Sequence, residues 1–101
     1  MKLIYDPKGD SVAVLVQEEI GPDDTADVRQ LDVDRIVRYD EADLPIEYQF
    51  FNARRLGVRL DDLMHHTELM RLFREAGFQE RDWSEPIRVT AVRRRRDIAA
   101  G

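Results

Sequence analysis

Leu44-Pro45-Ile46-Glu47-Tyr48-Gln49-Phe50 is the stretch on which the fold turns. Successive side chains of a strand point to opposite sides, so Leu44, Ile46, Tyr48 and Phe50 share one face and Pro45, Glu47 and Gln49 the other. That period of two predicts a half-buried strand. Phe51 follows directly and breaks the alternation. Phe50 and Phe51 must face opposite sides of the sheet, so one ring needs cover from something other than the layer that buries its neighbour.

Working toward the N-terminus, residues 33–39 have strand character, and Asp40-Glu41-Ala42-Asp43 reads as an acidic turn that makes a hairpin with the strand after it. Residues 2–5 and 12–16 form an earlier hairpin. They are joined through Asp6-Pro7-Lys8-Gly9-Asp10, where Pro fixes φ and Gly permits a positive one. Val12-Ala13-Val14-Leu15-Val16 is apolar on both faces of a strand, which predicts a central strand covered by a helix on one side and by a second layer, such as a partner subunit, on the other. Residues 18–27 are polar and acidic without either apolar period and read as an exposed loop.

Working toward the C-terminus, Arg54-Arg55-Leu56-Gly57 closes the sheet-forming part, and residues 61–66 read as a turn. Thr67 offers an N-cap, and Leu69, Leu72, Phe73 and Ala76 recur at helical spacing. Gly77 supplies the positive-φ residue that ends such a helix, and Phe78 can fold back on its last turn. Residues 87–92 read as a final strand before Arg93-Arg94-Arg95-Arg96. The expected architecture is therefore α+β: an antiparallel β-meander of about four strands, one main helix over 67–76 packed on one face, and a C-terminal strand. We expect one domain over residues 1–101, with 93–101 as a flexible basic tail.

Composition narrows the function classes. The chain has 101 residues, 43% of them hydrophobic and 37% charged, which suits one globular core under a heavily ionised surface. It contains no cysteine, so disulfides, thiolate metal sites and thiol nucleophiles are excluded. No apolar run approaches the roughly 20 residues of a membrane span, and the N-terminus has no signal-peptide character. We expect a cytoplasmic protein without membrane contact. The net charge is −5, divided between 11 basic and 20 acidic residues over 1–86 and 5 basic and 1 acidic over 87–101. An acidic body of this kind does not suit general nucleic-acid binding, whose affinity comes mainly from neutralising phosphates.

Residues capable of chemistry are present, but their spacing is poor for it. His65 and His66 are neighbours and point about 100° apart on a helix, and His66 with Asp62 at i, i+4 is still two ligands short of a zinc site. Asp23-Asp24, Asp40-Glu41-Asp43 and Asp61-Asp62 all fall in expected turns or helix starts, where Asp is favoured for capping. Ser11 and Ser84 lie in no nucleophile elbow. No catalytic residue, cofactor or metal site is expected.

Tyr5-Asp6-Pro7 with Asp10-Ser11, then Ile36-Val37-Arg38-Tyr39-Asp40-Glu41 and Ile46-Glu47-Tyr48-Gln49-Phe50-Phe51-Asn52-Ala53, resembles the domain-of-unknown-function 2283 family over roughly the first 60 residues. The resemblance implies a fold of β-hairpins and carries no activity or site residues. The chain departs from that pattern at Ala42-Asp43-Leu44, where a glycine-containing tight turn is common. Residues 68–95 are similar to the closing helix and strand of class I methyltransferases, although no Gly-rich loop follows a first strand to hold a nucleoside cofactor.

Three functions are ranked on these observations. First is a non-enzymatic protein–protein interaction module acting as a homodimer, or docking a heterologous protein, through an apolar surface that includes Val12, Val14, Val16, Phe51 and Trp83. Second is contact with nucleic acid or another acidic partner through Arg93, Arg94, Arg95 and Arg96. A strand would divide that run into two pairs on opposite faces. Third is a small enzyme, which would need a pocket with convergent polar groups.

Overall fold

The computed structural model describes residues 1–17, 21 and 24–80. Seven elements follow in chain order: β1 (Lys2–Asp6), β2 (Ser11–Leu15), β3 (Asp27–Asp32), β4 (Arg35–Tyr39), β5 (Pro45–Phe51), α1 (Ala53–Leu56) and α2 (His66–Glu75). The expected strand at 87–92 lies outside the described residues. The five strands form one antiparallel sheet in the order β1-β2-β5-β4-β3, so the protein is α+β with one main helix and one strand more than expected. The additional strand is β3, which begins in the stretch read as a loop. It is an edge strand exposed over nearly its whole length, and an edge bathed in solvent needs no apolar alternation to mark it.

Strands adjacent in sequence pair as hairpins except at one connection. After β2 the chain crosses to the far edge, and β4 and β5 then bring it back until β5 lies beside β2, a Greek-key arrangement. The register places Val12 opposite Phe50 and Val14 opposite Tyr48, with Leu3, Tyr5 and Val37 on the same side. These residues face α2, which buries Leu69 and Phe73 against them. Leu60 and Leu63, from the segment before α2, complete the core. Aromatic rings meet edge to face at its centre: Phe50 and Phe73 at 5.0 Å, Phe73 and Phe78 at 5.5 Å, and Tyr5 and Phe78 at 5.2 Å.

Helix α2 starts one residue earlier than expected, with His65 at the N-cap position and no side-chain cap. The His66 amide already bonds Leu63 O and the Leu69 amide bonds His65 O, so the preceding turn runs into the helix and Thr67 lies inside its first turn. The C-terminus follows the expectation. Gly77 has φ 84, its amide bonds Arg74 O, and the Phe78 amide reaches back to Phe73 O. This is a Schellman motif with its hydrophobic contact.

Two turns depend on aspartates in the left-handed region. Between β1 and β2 the positive φ falls on Asp10, at 51°, rather than on Gly9. The Asp10 carboxylate accepts the Arg54 and Arg55 amides at 2.9 and 3.1 Å and the Tyr5 hydroxyl at 3.0 Å. It thus caps α1 from 44 residues away, and these bonds, the Arg54 amide foremost, hold its pKa below the ordinary aspartate value. We expect Asp10→Ala to free both amides, so that Arg54 and Arg55 exchange hydrogen for deuterium faster than in the wild type while Phe73 does not. Between β4 and β5, Asp43 takes φ 63, the conformation a glycine would otherwise supply. The Asp40 carboxylate accepts the Ala42 and Leu44 amides. Leu44 is therefore part of the turn and half-exposed instead of lying on the buried face with Ile46.

Candidate interaction surface

The sheet has a second face, turned away from α2. Three cross-strand rows lie on it, following the register: Lys2, Leu15, Glu47, Arg38 and Val28; Ile4, Ala13, Gln49, Ile36 and Gln30; and Asp6, Ser11 and Phe51. Ala13, Leu15, Ile36 and Phe51 are half-buried, and Ile4 and Val28, toward the two edges, are 47% and 55% exposed. At the centre Glu47 is only 5% exposed. Its carboxylate pairs with Arg38 directly across the strand and accepts a hydrogen bond from Gln49 at 3.0 Å. Arg38 also donates to the Thr25 hydroxyl at 2.7 and 3.1 Å. A buried carboxylate without a partner would be costly; here it is neutralised on the spot, and the middle of the face presents no net charge.

The residues singled out from the sequence are dispersed. Val12 and Val14 are 1% and 0% exposed, so they belong to the core under α2 and have no surface to offer a partner. Val16 is half-buried and packs on the same core. Phe51 alone lies on the second face, while Trp83 and Arg93 to Arg96 lie outside the described residues. Beside Phe51 is a cavity of about 10 Å³ lined by Asp32, Asp34, Arg35, Phe50, Val58 and Arg59 among others. That volume holds about one water molecule and no organic ligand.

Several titratable groups among the described residues are engaged in contacts within the fold. The Tyr48 hydroxyl lies 2.8 Å from His65 Nδ1, and burial pushes its pKa up to about 12. The phenol thus keeps its proton at neutral pH. It donates to Nδ1 of one histidine tautomer and accepts from Nδ1–H of the other, so the contact survives either form. His66 turns the other way, with Nδ1 3.2 Å from Leu63 O. Asp62, which helical spacing would pair with His66, instead makes a two-pronged bond with Arg35 at 2.6 and 3.0 Å. Arg35 also donates to Asp32 at 2.9 Å and to Arg59 O at 3.3 Å. Hydrogen bonding from Arg35 holds the Asp62 pKa below the ordinary range. Among the described residues no group of three histidine, aspartate or glutamate side chains is placed to hold a metal ion, and no helix is long and apolar enough to cross a membrane.

Sequence patterns did not reveal the Arg35 cluster, because Arg35 and Asp62 are 27 residues apart and neither belongs to a motif. The alternation puts Glu47 on the polar side of its strand, and only the register, which sets Arg38 opposite it, explains why it is buried. Comparison of the chain with protein-family models, with curated proteins and with solved structures found no match.

Proposed function

We propose that this is a cytoplasmic protein–protein interaction module that acts as a homodimer and has no chemistry of its own. The observation that carries this reading is the second sheet face, where apolar side chains reach the surface at Ile4 and Val28 and surround a self-neutralised Arg38–Glu47 pair. Interface cores are depleted in unpaired charge and rich in apolar groups, and the middle of this face, with Ala13, Leu15, Ile36 and Phe51 around the paired Arg38 and Glu47, has that composition. Its size also matters. Five strands about 4.8 Å apart and about 17 Å long project only on the order of 400 Å², which is modest beside the roughly 800 Å² per partner of a standard interface. A single copy thus offers a small docking face, and joining two copies would enlarge it.

The test is the solution mass across a dilution series, by light scattering coupled to size exclusion. A mass of twice 11.9 kDa that persists to micromolar concentration supports the reading. A mass of one chain at every concentration overturns the homodimer and leaves a heterologous partner to be sought.

A further inference from the structure

Resting on the homodimer reading, we infer that the second copy is bound through the outer edge of β1, by antiparallel pairing with Ile4 on the two-fold axis. Among the described residues no strand lies beyond β1 or β3, so both edges are open within the described sheet, and an open edge is a template for another strand unless something blunts it. β3 is blunted. Its register shifts between Gln30 and Asp32, and its charges are already engaged, with Arg29 paired to Asp27 and Asp43 and stacked 4.1 Å over the Tyr39 ring. β1 has no bulge and reads Lys2-Leu3-Ile4-Tyr5-Asp6, three large side chains between opposite charges. Neither Lys2 nor Asp6 forms an ion pair among the described residues; Asp6 accepts only the Lys8 amide.

That order of residues is self-complementary. With Ile4 facing Ile4 across the axis, Lys2 stands opposite the second copy's Asp6, Leu3 stands opposite Tyr5, and both charge pairs are satisfied at once. A two-residue slip one way sets Lys2 against Lys8 and brings Pro7 into the ladder; a slip the other way sets Lys2 against Ile4. Only the register centred on Ile4 matches charge and backbone together. It keeps α2 of both copies on one side, giving a ten-stranded sheet whose second faces merge into one surface.

The experiment reverses the charges. Lys2→Asp alone or Asp6→Lys alone places like charges opposite each other at two symmetric points and should weaken the dimer about tenfold, which is about 1.4 kcal/mol. The double variant Lys2→Asp with Asp6→Lys restores the pairs and should recover wild-type dissociation to within about threefold. Spin labels supply a second measurement that does not alter β1. The chain has no native cysteine, and a label at Lys8→Cys should report a separation of roughly 25–30 Å across the axis, while one at Val28→Cys, nine strand spacings apart, should report about 40–45 Å. A stable wild-type dimer that ignores both single reversals, or in which the Val28 labels are the closer pair, overturns the β1 pairing and leaves the homodimer standing. A monomeric wild type overturns both.

Discussion

Phe73→Ala should lower the unfolding free energy by about 3–5 kcal/mol, the range for removing a buried phenylalanine from a packed core. Phe73 is 1% exposed, and its ring sits edge-on to both Phe50 and Phe78, so truncation removes two aromatic contacts as well as apolar area. It is also the residue whose carbonyl receives the Phe78 amide that ends α2. The cavity would thus open where the helix, the sheet and the segment after the helix meet. A domain of this size has about 5–15 kcal/mol in total, so the variant should lose a large part of its urea midpoint. Met64→Ala, at a residue 61% exposed, should change stability by less than about 0.5 kcal/mol. A Phe73→Ala midpoint close to wild type would mean that α2 does not seal the sheet.

Arg35→Ala should cost about 2–4 kcal/mol. Breaking a buried ion pair from one side costs about 3–5 kcal/mol when the surviving charge stays buried, and the lower figure reflects the partners here. The Arg35 side chain is 6% exposed, whereas those of Asp32 and Asp62 are 34% and 37% exposed and recover some hydration. Removing the guanidinium releases the tie between β4 and the segment carrying Asp62. The pH dependence gives a separate check. Asp62 has a lower pKa folded than its ordinary 3.8, so its contribution is fully present above that value and is lost as pH falls through the depressed folded pKa. Wild-type stability should therefore fall with acid below about pH 4, and Arg35→Ala should fall less steeply over the same range. Denaturant melts at pH 6, 4 and 3 distinguish the two, and parallel curves for both proteins would show that Arg35 does not perturb Asp62.

What could be seen in the sequence was set by local chemistry. The alternation at Ile46, Tyr48 and Phe50, the helical stripe through Leu69 and Phe73 and the Gly77-Phe78 stop are short-range signals, and each appears in the structure where its period or φ requirement puts it. β3 was missed because an exposed edge carries no such signal. The face of Val12 and Val14 could not be chosen from an all-apolar run, since both faces of that strand looked alike until the register with Phe50 and Tyr48 was known. The candidate surface was legible only through Phe51. Ile4, Arg38 and Glu47 join it through strand order, which depends on contacts between distant residues.

The crossing from β2 to the far edge of the sheet has a kinetic consequence. Hairpins β1–β2 and β3–β4–β5 each close over a few residues, but the ladder that unites them sets Val12 against Phe50, 38 positions later in the chain. Its formation must wait for the largest loop closure in the sheet, and contacts so far apart in sequence slow folding. The chain should therefore pass through a stage in which two small sheets exist with raw central edges. In that interval β2 and β5, which lie side by side in the finished sheet, are the strands most open to a wrong partner.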